Sequence, residues 1–159
     1  MVRNNKETGI TQTLAAFASN VNYEDLSPDV VDWAKYLCLD FAGVTLNGST
    51  TDSAKTVVKA LEDVGRSGPS AVIGTDKRVL PEYAALANGT AFHSIEMDDI
   101  NNEASLHPGV VAFPTALAMA DITQVSGKES IDRKSTRLHS SHTSTTYAVL
   151  CLKKTTIIL

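Results

Sequence analysis

Apolar side chains three and four positions apart run through the first third of this chain, and that spacing is typical of one face of an α-helix. The clearest run begins at Ser27-Pro28, where a hydroxyl able to cap a helix precedes a proline at the first helical position. It ends near Gly48. Its apolar positions predict a stripe that faces the core: Val30, Ala34, Leu37, Cys38, Phe41 and Ala42.

Other helices and one candidate strand are predicted elsewhere. The segments 10–18 and 51–65 have helical periodicity, and the second also has a start signal and a terminal glycine. Between Pro69 and Gly74 the run Ser-Ala-Val-Ile fits either a strand or an extended connector. The predicted fold class is therefore mostly α, with room for one short strand.

Two later helices are rich in small residues. Pro81 opens the first, and the second covers residues 112–122 and begins at either Pro108 or Pro114. Glycine inside a helix costs about 1 kcal/mol relative to alanine. Gly89, within the first of these helices, therefore indicates either a closely packed neighbour or the end of the helix.

Residues 132–159 are interpreted as translated sequencing adapter. Codons for 132–142 can spell a common short-read adapter with one base changed, at His139, and 145–154 fit its distal part with single-base differences. We expect this segment to be disordered and exclude it from the fold. Residues 1–131 are then expected to be a truncated helical domain that is inactive alone.

The charge of residues 1–131 is clearly acidic. The adapter-like segment holds five of the 14 Lys and Arg residues and one of the 18 acidic residues, which leaves a formal charge of −8. This balance argues against nucleic acid or an anionic membrane as a partner. The polar N-terminus lacks the apolar core of a signal peptide, and Cys38 is the one cysteine left, so a cytoplasmic location is expected.

The strongest functional signal is a cluster of histidines and acids within residues 93–107. His93 and His107 flank Glu96, Asp98 and Asp99, beside a Pro-Gly corner. A histidine exchanges protons near neutral pH, and neighbouring carboxylates orient its ring and shift its pKa. The cluster therefore indicates acid/base chemistry.

Each residue of this cluster also has a structural interpretation. His107 fits a general acid/base, and equally a side chain that bonds a nearby carbonyl or caps the next helix. His93 is better explained as a core histidine held by a carboxylate. The acids fit either a poised acid or a solvated loop. No metal is predicted, because no standard ligand spacing such as His-Glu-x-x-His occurs.

Motifs along the chain resemble the N-terminal part of the MmgE/PrpD family, which includes 2-methylcitrate dehydratases and cis-aconitate decarboxylases. The resemblance covers residues 8–129, and family members are far longer. Its motifs are Asp40-Phe41-Ala42-Gly43, Ala71-Val72-Ile73-Gly74, Asn88-Gly89-Thr90, the segment 93–99, the segment 102–109 and the segment 114–118.

The resemblance implies part of a large helical domain, a smaller α+β domain inserted later, and homodimers. It implies lyase or isomerase chemistry on small polycarboxylates without a metal or organic cofactor. It places Glu96 and His107 in the active site as the catalytic residues, with Asp98 and Asp99 beside them. We expect Asp98, Asp99 and His93 to bind the substrate.

Departures from the family pattern weaken any assignment to one substrate. Glu96 replaces the aspartate usual in the decarboxylases, Ile100 and Asn101 stand where many members have threonine and histidine, and the loop to His107 is one residue longer. A polycarboxylate would also be repelled by this acidic loop, yet no Lys or Arg occurs between Arg78 and Lys128. We expect the missing positive charge to come from downstream residues, where the resemblance implies lysine and histidine.

The leading hypothesis is therefore the N-terminal fragment of a cofactor-independent dehydratase or decarboxylase that acts on a small polycarboxylic acid such as 2-methylcitrate or cis-aconitate. The alternatives are an isomerase or epimerase of the same family, a non-catalytic helical dimerisation module, and a metal-dependent hydrolase.

Overall fold

Helices make up most of the described structure. The computed structural model describes residues 22–64, 67–102, 105–124 and 126–128, together with Gly9 and Asn20. Within these residues, a 3-10 turn at Tyr23–Asp25 precedes the main elements. These are α1 (Pro28–Gly48), α2 (Asp52–Val64), β1 (Ser67–Ala71), β2 (Arg78–Val79), α3 (Pro81–His93) and α4 (Pro108–Thr123). The prediction of a mostly helical fold is confirmed.

Local signals set the helix starts. Ser27 Oγ accepts a hydrogen bond from the Val30 backbone N–H at 3.4 Å, and Thr51 Oγ1 accepts one from Ala54 at 3.3 Å. α4 begins at Pro108 and carries Pro114 inside it. The predicted helix at 10–18 and the segment 132–159 lie outside the described residues. None of the helices in the described part is both long and apolar enough to cross a membrane.

α3 lies at the centre and contacts α1, α2, α4 and both strands. A Cβ at Gly48 of α1 would overlap the Ala91 carbonyl of α3, so the two helices pack with backbone in contact. A Cβ at Gly89 would lie 3.2 Å from the Val110 carbonyl of α4 and 3.5 Å from Pro114 Cγ. The small residues of α3 therefore bring its neighbours close, and the prediction of a closely packed neighbour at Gly89 is confirmed.

The core has two parts on either side of α3. One is aliphatic and lies under the sheet: Leu61, Val72, Val79, Ala84, Ala87 and Ala118. The other is aromatic, with Phe41 5.0 Å from Phe92 edge to face and 5.6 Å from Phe113 in a stacked arrangement, measured between ring centroids. The aromatic part lies under the loop that carries the histidines, because Phe92 immediately precedes His93.

The strand region is a small antiparallel sheet in which β1 pairs with β2. β1 begins before Pro69 and ends at Ala71, so the buried Val72 and the half-buried Ile73 follow the strand as a connector. The buried Asn88 side chain of α3 donates to the Ala71 carbonyl at 3.0 Å and accepts from the Ile73 N–H at 2.9 Å. This one amide satisfies backbone groups that the short sheet leaves unpaired.

The predicted core stripe of α1 is partly wrong. Ala34 and Phe41 are buried, but Cys38 and Ala42 are exposed, and the buried face continues through Val44, Thr45 and Gly48. The reason is that α1 is apolar around most of its circumference. Periodicity alone therefore does not distinguish the buried face from the opposite one. Three large side chains on the opposite face are exposed: Trp33 at 47%, Tyr36 at 65% and Leu39 at 71%.

Candidate active site

Two helix ends bring the histidines together. His93 is the last residue of α3, and His107 immediately precedes Pro108 at the start of α4. Their rings meet edge to face with centroids 4.8 Å apart. Backbone hydrogen bonds in both directions between Asn101 and Leu106, at 2.8 and 3.2 Å, close the intervening loop and return the chain to α3.

The Asp98 carboxylate lies between the two rings. Its side chain is 0% exposed, and its Oδ2 is 2.8 Å from His93 Nδ1 and 3.0 Å from His107 Nδ1. The His93 contact has the direction of a hydrogen bond. The His107 contact does not, so His107 Nδ1 and Asp98 Oδ1 are buried without a hydrogen-bond partner in the described structure. One carboxylate oxygen thus lies within 3.0 Å of both imidazoles and is hydrogen-bonded to that of His93.

His93 has a second acidic neighbour. Its Nε2 lies 3.8 Å from Glu96 Oε1. The hydrogen bond with Asp98 raises the pKa of His93, partial burial opposes this, and the charges of Asp98 and Glu96 raise it further. Glu96 has a left-handed backbone, with φ 52°, and its side chain is 74% exposed. Glu96 therefore lies on the solvent side of the site, next to His93.

The Asp99 carboxylate is hydrogen-bonded to the backbone at the start of α4. Its Oδ1 and Oδ2 accept from the Gly109 backbone N–H at 3.0 and 3.2 Å, so a carboxylate meets the positive end of the helix. Burial raises the pKa of Asp99, the Gly109 hydrogen bond lowers it, and the charge of Asp98 raises it. A Cβ at position 109 would overlap Asp99 Oδ1, so this contact requires glycine. Asp99 thereby fixes the backbone that carries His107.

Asp40 is the acidic residue that sequence reasoning missed as part of the site. It lies on α1, where burial and then the charge of Asp98 raise its pKa. The charge of Asp40 acts in turn on Asp99. No local signal marks Asp40, because it is far from the histidines in sequence. Its sole sign is its place in one of the motifs of the family resemblance.

The structure thus brings His93, Asp98 and His107 into direct contact, with Glu96 at the edge and Asp99 in the supporting backbone. Donor atoms of these three residues all lie within 4.8 Å of one another, and imidazole nitrogen and carboxylate oxygen are donors that zinc accepts. In the described residues, the ion pairs of Glu96 and Asp98 involve these histidines and no Lys or Arg. The roles predicted for the five residues remain predictions.

Comparison with known proteins identifies a family and several relatives. The sequence model of the MmgE/PrpD N-terminal domain matches residues 12–133. The chain is 30% identical over 124 residues to the cis-aconitate decarboxylase of Aspergillus terreus, covering 78% of this chain and 25% of that protein. The human cis-aconitate decarboxylase is 30% identical over 113 residues, covering 70% and 23%.

A third relative is the cis-aconitate decarboxylase-like protein oryM of Aspergillus oryzae, which is 30% identical over 125 residues. That match covers 79% of this chain and 26% of the relative. The chain therefore spans about a quarter of the length of the curated relatives it matches.

Proposed function

The chain belongs to the MmgE/PrpD family, and from this premise we propose that it is the N-terminal part of a cofactor-independent lyase that acts on a small polycarboxylic acid. Decarboxylation of a substrate such as cis-aconitate is the favoured reaction, because the named relatives are cis-aconitate decarboxylases. Dehydration of a substrate such as 2-methylcitrate, or isomerisation, uses the same acid/base groups. We place the whole protein in the cytoplasm as a homodimer.

The observation that carries this proposal is the pair of imidazoles on the enclosed Asp98 carboxylate. Asp98 faces His107 Nδ1, which leaves Nε2 as the nitrogen available to a ligand, and the His107 side chain is 27% exposed. A carboxylate behind an imidazole restricts the orientation of its ring, and an imidazole can both donate and accept a proton near neutral pH. His107 is therefore proposed as the general acid/base.

The proposed chemistry is a proton transfer at carbon. In a decarboxylation the C–C bond to the leaving carboxylate breaks, its electron pair stays on the substrate carbon, and that carbon takes a proton from His107 Nε2. In a dehydration His107 removes a proton from the carbon next to the one that bears the hydroxyl. The electron pair forms the C=C bond, and the hydroxyl leaves as water with a proton from Glu96. Glu96 is proposed as the second acid/base, and His93, Asp98 and Asp99 as contacts to the substrate.

Substrate charge sets a further requirement. A polycarboxylate approaching this loop meets the negative charges of Asp98, Asp99 and Glu96. The ion pairs of Lys and Arg in the described residues lie elsewhere, for example Arg78 with Asp121 at 3.6 Å. Burying like charges together is costly without a cation. We therefore propose that residues of the longer protein, outside this chain, supply positive charge to the site.

The test is turnover of the full-length protein with a panel of di- and tricarboxylic acids. His107→Ala is expected to lower kcat by about 10²–10⁴, the usual contribution of a general acid/base. Asp98→Asn keeps the shape but removes the charge, and we expect an intermediate loss in kcat. Asp63→Asn, an exposed acid of α2, is the matched control and should leave turnover unchanged. Turnover of His107→Ala at the wild-type rate would refute the proposed role.

A non-catalytic dimerisation module is the second candidate, and the exposed apolar face of α1 favours it. Trp33 and Tyr36 contact each other edge to face at 6.2 Å while both remain exposed. Sedimentation of wild type and Tyr36→Ser would reveal a dimer that depends on this face. A dimer lost in Tyr36→Ser, with no turnover on any acid of the panel, would favour the module over the lyase.

A further inference from the structure

The geometry points to a divalent transition-metal site formed by His93, Asp98 and His107, whose occupation removes His107 from acid/base chemistry. The inhibitory part of this inference rests on the proposed function, whereas the binding part does not. The three side chains each offer one donor atom, and these atoms lie within 4.8 Å of one another. No regular sequence spacing connects them, so the site exists through the fold alone.

The donor types indicate which metals fit. Two imidazole nitrogens and one carboxylate oxygen suit Zn²⁺ and its neighbours Co²⁺, Ni²⁺ and Cu²⁺. Mg²⁺ and Ca²⁺ prefer sets of oxygen donors, which this cluster does not provide. Three protein ligands leave a fourth tetrahedral position open, and the 44% and 27% exposure of the His93 and His107 side chains gives water access to it.

Unsatisfied polar atoms provide an independent observation. His107 Nδ1 and Asp98 Oδ1 are both buried without a hydrogen-bond partner in the described structure, and the Asp98 side chain is fully enclosed. Leaving a buried polar atom unpaired is costly, so native proteins rarely do so without a structural or functional reason. A cation held between the rings and the carboxylate would use both of these atoms.

The surroundings favour a cation over an anion at this point. Asp40 and Asp99 lie close enough for the charge of Asp98 to act on both. Glu96 lies 3.8 Å from His93 Nε2, the nitrogen away from Asp98. A carboxylate on the outer nitrogen of a ligating histidine orients the ring and strengthens its binding to a metal.

The ligands are also held in place before any metal binds. His93 ends a helix packed on the aromatic core, and the Asp99–Gly109 contact fixes the backbone next to His107. A metal bound at His107 Nδ1 would occupy the imidazole that is proposed to transfer the proton. Zn²⁺ is therefore expected to inhibit the lyase reaction that needs this imidazole.

The experiment is calorimetric titration of Zn²⁺ into the full chain, with ring ¹⁵N NMR of the histidines. Because His139, His142 and Cys151 could bind metal independently, a background variant replaces all three with alanine. We expect one Zn²⁺ per chain in this background, with ¹⁵N shifts at the Nδ1 atoms of His93 and His107. Asp98→Asn and His93→Phe should each weaken binding at least tenfold, while Asp63→Asn binds as the background does.

Circular dichroism checks that each variant folds. If a variant does not fold, the ¹⁵N shifts measured in the background variant still test whether His93 and His107 bind the metal. Binding that is unchanged by Asp98→Asn, or ¹⁵N shifts absent from both histidines, would overturn the inference. In the full-length protein, Zn²⁺ should lower turnover and a chelator restore it. Turnover that Zn²⁺ leaves unchanged would overturn the inhibitory part, whereas absence of turnover on every substrate, with binding intact, would refute only the proposed lyase.

Discussion

Replacing Gly109 with alanine is expected to release the carboxylate that fixes the start of α4. The added Cβ would overlap Asp99 Oδ1 and lie 3.0 Å from Asp99 Cγ and 3.2 Å from Phe92 Cε1. Phe92 is 1% exposed and cannot move aside. Asp99 must therefore move, and the two acceptor contacts to the Gly109 N–H, at 3.0 and 3.2 Å, are lost.

The expected cost follows from these contacts. A buried donor left unpaired costs about 1–3 kcal/mol, while alanine in place of glycine in a helix returns about 1 kcal/mol. Gly109→Ala should therefore lower the free energy of unfolding by up to about 2 kcal/mol. Because His107 lies two residues before this position, kcat of the full-length protein should also fall.

Urea unfolding followed by circular dichroism measures the stability change, and Gly43→Ala is the matched control. Gly43 lies in α1 with no atom within 4 Å of an added Cβ, so alanine there should raise the free energy of unfolding by about 0.5–1 kcal/mol. If Gly109→Ala were as stable as Gly43→Ala, the steric argument and the role of Asp99 would both be refuted.

Two further predictions concern the core and the one described thiol. Asn88→Ala leaves the Ala71 carbonyl and the Ile73 N–H without their partner, and should lower the free energy of unfolding by about 2–4 kcal/mol in the same assay; a loss under 1 kcal/mol would contradict this. Although Cys38 is exposed, partial desolvation by the atoms around its thiol raises the pKa from its ordinary value of 9.0, so its rate of alkylation by iodoacetamide should reach half its maximum above pH 9.0. A midpoint below that pH would show an activated thiolate.

The helix starts could be predicted because their signals are local. Ser27-Pro28 and Thr51 each place a hydroxyl before a helix, and the structure shows both hydroxyls as caps. The buried face of α1 could not be predicted, because Trp33, Tyr36 and Leu39 make the opposite face apolar as well. β2 was missed because two residues, Arg78–Val79, are too few to show a strand period.

The candidate site could be located from the sequence, but its geometry could not. The cluster of two histidines and three acids marks the segment, yet which acid touches which ring depends on how the loop closes. The bridge between Asn101 and Leu106 decides this, and it brings Asp98, not Glu96, between the rings. The contribution of Asp40 depends on α1 packing beside the loop, a long-range contact with no local sign.

Of the departures from the family pattern, Ile100 has an exposed side chain, whereas Asn101 closes the loop through its backbone, which any residue other than proline supplies. Asp98, Asp99 and Gly109 each follow the family pattern. The Asp98 side chain is fully enclosed, and the Asp99 carboxylate accepts a hydrogen bond from the Gly109 backbone N–H. Ile100 departs from the family pattern. It is 57% exposed and makes none of the hydrogen bonds that fix the described part of the loop. Because exposed loop positions change what a ligand meets while anchored ones fix the imidazoles, the departure at Ile100 is expected to alter substrate preference and to leave the acid/base geometry intact. Ile100→Thr in the full-length protein should therefore change KM between substrates with little change in kcat, and a collapse of kcat on all substrates would show that the loop cannot be divided in this way.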